Sequence, residues 1–103
     1  MDGEELVTDA EVLQEVLHRY ASICRREAIR PAFELLLGIV DDVLPIDVGV
    51  AEGARSLVES SQGISARDAV HVAVMRTHGI SRVMSFDRGF DQVEGIERIP
   101  AAR

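Results

Sequence analysis

The chain has 103 residues, 47% of them hydrophobic and 28% charged, with a formal charge of −7. That length suits one compact domain, and that composition suits a globular chain rather than a disordered one. Aromatics make up only 4% with no Trp, and the balance is acidic, which together exclude a module that stacks bases on rings or grips phosphates with clustered cations. A metal-dependent nuclease stays open, because such an enzyme gathers carboxylates and lets a cation meet the phosphate. All eleven basic residues are Arg, a side chain that can fork onto phosphate or carboxylate. The single cysteine, Cys24, cannot form an internal disulfide and reads as a small core residue in a reducing compartment. The acidic start MDGEEL lacks the layout of a signal peptide, and no apolar run approaches the ~20 residues that span a bilayer. A cytoplasmic protein with no membrane partner is expected.

In chain order, Leu6 and Val7 form a short apolar stub. Thr8 and Glu11 then have the spacing of a capping box, and Val12, Leu13, Val16, Leu17, Tyr20, Ile23 and Cys24 follow at helical intervals. This predicts a helix from about Asp9 to about Arg25, with Glu15 beside the edge of its apolar face. A second helix is predicted over about Pro31 to Val40, with Phe33, Leu36, Leu37 and Val40 as its buried stripe and Pro31 tolerated in the first turn. The run Val43–Asp47 reads as a short strand that Pro45 confines to a sheet edge. Asp47 can cap a third helix reaching Ser60. Ser65 and Asp68 form another capping box, opening a helix over Ala66 to about Thr77 that is apolar nearly all round. Gly79 is its natural terminator. Ile80–Phe86 reads as a buried strand, with Asp87 at its C-terminal end, and GIERIP as a last short strand. Strands alternating with helices imply an α/β class with a mainly parallel sheet.

Three acids stand out. Asp87 sits where parallel sheets bind ligands, outside the carboxyl end of a strand, although a turn former before Arg88 and Gly89 would read the same. Asp68 is either a capping residue or a carboxylate aimed into a cleft. Glu15 on its own is an ordinary solvated helix residue. Asp91, four residues after Asp87, is either a helix cap or a further ligand. His18, His71 and His78 show no ligand spacing: His71 is expected within its helix, and the other two at the surface.

Taken together these segments resemble the PIN-domain family. VTDAEVLQEVLHRY is similar to the family's second strand and following helix, with Glu15 as the acidic helix residue. ISARDAVHVAVMRTHGI is similar to the segment carrying the third acid, matched by Asp68. RVMSFDRGFD is similar to the T/S-x-D-x-x-F segment, with Ser85, Asp87 and Phe90 in place, and VEGIERIP to the last strand. The order and spacing match across about Glu5 to Ala101, closest in style to the VapC toxins of bacterial and archaeal toxin–antitoxin pairs.

The resemblance implies a PIN-like three-layer α/β/α domain spanning residues 1–103. It also implies a ribonuclease dependent on Mg²⁺ or Mn²⁺, acting on single-stranded RNA and blocked by an antitoxin protein. Glu15, Asp68 and Asp87 would hold the metal, Asp91 would join a second metal, and Ser85 would support the site by hydrogen bonding. Hard oxygen donors suit these cations. The pattern departs from the family at its start. An apolar strand ending in Asp normally precedes the stub, and here Met1 falls just before the second strand. An N-terminally truncated fold is therefore expected, lacking a central strand and the first acid, with a homodimer to cover the exposed neighbours. The competing expectation is a catalytically impaired PIN-like remnant that binds a partner or RNA without cutting it. A receiver-like signalling module fits less well, because receivers need a late Lys and the chain has none.

Overall fold

The computed structural model describes residues 6–85 and 88–99. The chain forms two compact units, Met1–Pro45 and Ile46–Arg103, each with its own pair of parallel strands. The first unit runs β1 (Val7–Asp9), α1 (Ala10–Ser22), a 3₁₀ turn (Arg26–Ala28), α2 (Ile29–Ile39) and β2 (Asp42–Leu44). β1 and β2 pair in register Val7↔Asp42, Thr8↔Val43 and Asp9↔Leu44. The strand ends before Pro45, which has no N–H to give to a ladder.

The N-cap of α1 is Asp9, not Thr8. Thr8 is held in the ladder opposite Val43, so the next residue makes the turn into the helix. The Asp9 carboxylate accepts from the backbone N–H groups of Glu11 (3.0 Å) and Val12 (3.3 Å). Asp is among the best N-caps, ahead of Thr.

The helix also stops earlier than Arg25. Ile23 is its C-cap, and Cys24 follows at φ 60° in the left-handed region. The N–H of Cys24 bonds the Ala21 carbonyl, and that of Arg25 bonds the Tyr20 carbonyl at 2.8 Å. This is a Schellman motif with cysteine where glycine is usual. It turns Cys24 outward, so the residue is exposed rather than in a core.

Among the described residues of this unit, no apolar side chain is fully buried. Val12, Leu13, Val16, Tyr20, Phe33, Leu36 and Val40 are half-buried. Leu17 and Leu37, expected inside, are exposed, as are Ile23, Leu35 and Ile39.

The second unit holds α3 (Val48–Ser60), α4 (Ala66–Thr77), β3 (Arg82–Met84), a 3₁₀ turn (Arg88–Gln92) and β4 (Glu97–Ile99). Asp47 Oδ1 caps α3 by accepting from Val50 N–H at 2.9 Å, and Ser65 Oγ caps α4 by accepting from Asp68 N–H at 3.1 Å. Past α4, Gly79 takes φ 69°, a conformation glycine adopts without steric cost. The core is built mainly from α4 against α3: Ala69, Val72, Ala73, Val74 and Met75 pack with Val50 and Ala54, joined by Phe90. β3 and β4 run parallel, with Val83 opposite Arg98. Their connection, residues 85–96, is near the shortest a parallel re-entry allows, roughly a dozen residues.

Candidate metal site

The described candidate acids lie on elements of both units. Glu15 lies on α1 in the first unit, half-buried, with partners of its own. Asp68 is the third residue of α4 in the second unit and only 6% exposed. The cap places its backbone: the Ser65 hydroxyl accepts from the Asp68 N–H and so fixes the first turn of α4. The positive end of the helix dipole also favours negative charge in that turn.

Ser85 follows β3 and is half-buried. Its N–H donates to the Ile99 carbonyl at 3.0 Å, prolonging the β3–β4 ladder by one bond. Asp87 lies outside the described residues. Asp91 stands in the 3₁₀ turn, and both of its carboxylate oxygens are engaged by Arg98, Oδ1 from Nε at 2.8 Å and Oδ2 from Nη2 at 3.1 Å. His71 is half-buried, while His18 and His78 are exposed. Among the described residues of either unit, no three His, Cys, Asp or Glu side chains converge.

Two residues that the sequence reading passed over belong in this account. Asp9 is 6% exposed, at the carboxyl end of a parallel strand, where ligands commonly bind. Its strand-end position was visible after VT, but the helical periodicity that begins there hid it. Arg98 is 7% exposed, and nothing in the run ERI marks it as buried.

The second unit also has an open cleft of about 440 Å³ between the end of α3, α4 and the 3₁₀ turn, bordered by Leu57, Ser61, Ile64, Arg76, Gln92 and Glu94. None of the candidate acids lines it. Arg76 closes one side by donating from Nη2 to the Glu94 carbonyl at 3.0 Å.

The PIN domain family model matches residues 1–96. The chain belongs to the PIN-domain family. It is 60% identical over 97 residues to VapC ribonuclease Mb1869c of Mycobacterium bovis and to Ribonuclease VapC13 of Mycobacterium tuberculosis. Those matches cover 94% of this chain and 74% of each relative. It is 31% identical over 84 residues to Ribonuclease VapC23 of Mycobacterium tuberculosis, covering 82% of this chain and 66% of that protein. The α/β class and the parallel strand pairing agree with this family.

The donor set fits the metals expected for it. Glu15, Asp68 and Asp87 carry carboxylate oxygens, the donor type that suits Mg²⁺ or Mn²⁺ rather than a thiolate-seeking ion, whereas both oxygens of Asp91 are taken by Arg98.

Proposed function

We propose that this PIN-domain protein is a metal-dependent ribonuclease that hydrolyses phosphodiester bonds of single-stranded RNA, the toxin of a toxin–antitoxin pair. The observation that carries the reading is 60% identity, across 94% of the chain, to proteins named as VapC ribonucleases. Asp68 supports it physically. It is a buried carboxylate in the first turn of a helix, and carboxylate oxygens are the donors that hard divalent cations take.

In this reading Glu15, Asp68 and Asp87 hold the ion, and Asp91 serves a second ion or the shape of the turn. When bound, a divalent cation supplies positive charge for the phosphate and lowers the pKa of a water. The chain's own part is placement. The Ser65 cap holds the backbone of Asp68, the β3–β4 ladder holds that of Ser85, and in this reading the Ser85 hydroxyl hydrogen-bonds a carboxylate or a water at the site. The acidic chain does not attract RNA by its net charge, so the cation also serves as the electrostatic anchor for the backbone.

An antitoxin protein and a second copy of the chain complete the proposal. Leu35 and Ile39 are exposed four residues apart on one face of α2, an apolar pair that supports a protein partner there. No helix among the described residues is long and apolar enough to cross a membrane.

The test is cleavage of a labelled single-stranded RNA with Mg²⁺ or Mn²⁺ and with EDTA, using the chain, Asp68→Asn and Asp87→Asn. Cleavage that requires metal and disappears in both variants is expected. Cleavage that persists in EDTA, or in both variants, would sink the assignment.

A further inference from the structure

The four arginines of the first unit, Arg19, Arg25, Arg26 and Arg30, fall within residues 19–30, and all are exposed. The Schellman turn after α1 gathers them at one end of that unit. Arg19 stands in the last turn of α1. The N–H of Arg25 donates to the Tyr20 carbonyl at 2.8 Å, which folds Arg25 and Arg26 back against that turn. Arg26 opens the 3₁₀ turn, and Arg30 follows in the first turn of α2, where no acid stands. Glu27 is the one acid in residues 16–33, and it pairs with Arg25. Among the described residues Arg19, Arg26 and Arg30 form no ion pair, whereas Arg55 is taken by Glu52 and Glu59, and Arg98 by Asp91. The net charge of −7 averages this basic end away.

We propose that Arg19, Arg26 and Arg30 form an anchor for the phosphate backbone of single-stranded RNA. This rests on the ribonuclease reading given above and adds a place where the strand is held apart from the metal. Exposed guanidinium groups without carboxylate partners keep their charge and their forked donors for an outside anion, and phosphate oxygens match that fork. The position favours RNA over an acidic peptide. Arg19 lies one helical turn, about 6 Å of rise, from Glu15 on the same face of α1. The basic end thus begins one turn from a proposed metal ligand and continues through Arg26 to Arg30. Each phosphate contact displaces a counterion, so the anchor has a signature of its own: binding that weakens with salt in proportion to the number of contacts.

The experiment is fluorescence anisotropy of a labelled oligouridine with the full chain across a salt series, in EDTA so that no cleavage intervenes. The same titration is run on the triple variant Arg19→Gln, Arg26→Gln, Arg30→Gln and on Arg55→Gln, and is repeated with a labelled poly-glutamate peptide in place of RNA. Thermal melts show that each variant folds. Three lost contacts, at about 0.7 each on a single strand, should lower the slope of log affinity against log salt by about 2 and weaken binding at least roughly tenfold at low salt. Arg55→Gln should bind like the unaltered chain, since Glu52 and Glu59 already occupy that arginine. A triple variant that folds and keeps the parent slope overturns the proposal, as does an unaltered chain that binds poly-glutamate through these arginines but not RNA. If the triple variant does not fold, the double variant Arg26→Gln, Arg30→Gln decides, with a slope lower by about 1.4. An unaltered chain that binds RNA through the three arginines but never cuts it with Mg²⁺ or Mn²⁺ overturns the ribonuclease reading and leaves the anchor standing.

Discussion

Asp68 is asked to do two things, and two substitutions separate them. Ser65→Ala removes the hydroxyl that accepts from the Asp68 N–H at 3.1 Å and leaves the carboxylate in place. Losing a serine N-cap costs about 0.5–2 kcal/mol, and the exposure of Ser65 argues for the lower half, since water can replace the hydroxyl. Near 100 residues, about 1 kcal/mol moves the melting temperature by roughly 4–8 °C. Asp68→Asn makes the opposite cut. It keeps the side chain's size and the N–H bonded to Ser65, and removes the charge that would hold a cation. Loss of a charge in the first turn costs about 0.3–1 kcal/mol, offset in part because a neutral amide is cheaper to bury than a carboxylate. Ser65→Ala should therefore melt several degrees lower and cut RNA at close to the parent rate at 25 °C. Asp68→Asn should melt near the parent and lose cleavage on the order of 100-fold, at the top of the range seen when only the partners of metal ligands are disturbed. Thermal melts by circular dichroism and single-turnover cleavage of a labelled RNA read both quantities. The reasoning is refuted if Asp68→Asn cuts normally, or if activity follows the melting temperature in both variants.

Asp9→Ala should destabilise the first unit by about 1–2 kcal/mol, because a buried cap that satisfies two N–H groups is lost, while Asp9→Ser should recover most of it. Urea unfolding checks this, and an unchanged midpoint for Asp9→Ala would count against the cap. Cys24→Gly should raise stability by about 0.5–1 kcal/mol, since the left-handed conformation costs a side-chain-bearing residue more than glycine's extra unfolded-state freedom; a lower midpoint would contradict the Schellman assignment. The Glu27 carboxyl is held below its ordinary value of 4.5, first by its own backbone N–H and then by Arg25 at 2.6 Å. The sign follows from the lowered pKa: the favourable contribution is present above the ordinary glutamate range and is lost as pH falls through the depressed value. Carboxyl NMR should show Glu27 titrating below 4.5 and moving up in Arg25→Ala; no movement would remove Arg25 from the explanation.

The helices α3 and α4 were legible because their boundaries are set by local chemistry. Asp47 and Ser65 cap them as their side chains allow, and Gly79 supplies the left-handed turn after the second. The strands were found in place but are shorter than the apolar runs that announce them. Within the described part of Ile80–Phe86 the strand spans Arg82–Met84, because ladder length depends on a distant partner, Glu97–Ile99. The start of α1 offered two adjacent capping residues, and the pairing of Thr8 with Val43 decided between them. Cys24 fell on the helical wheel but beyond the helix's last turn.

In the site, the Ser65–Asp68 spacing pointed to a helix start with an acid in its first turn, and the structure adds that this acid is buried. Arg98 could not be read from sequence. An arginine between Glu97 and Ile99 looks like a solvated strand residue, and its fork with Asp91, seven positions earlier, exists only once the chain re-enters parallel to β3.

The most direct test of the central claim is the Mn²⁺ stoichiometry and affinity of the full chain by calorimetry, set against Asp68→Asn and Asp87→Asn. The account predicts saturable binding by the unaltered chain that both substitutions abolish while the folded circular dichroism spectrum persists. Equal binding by all three proteins would contradict it.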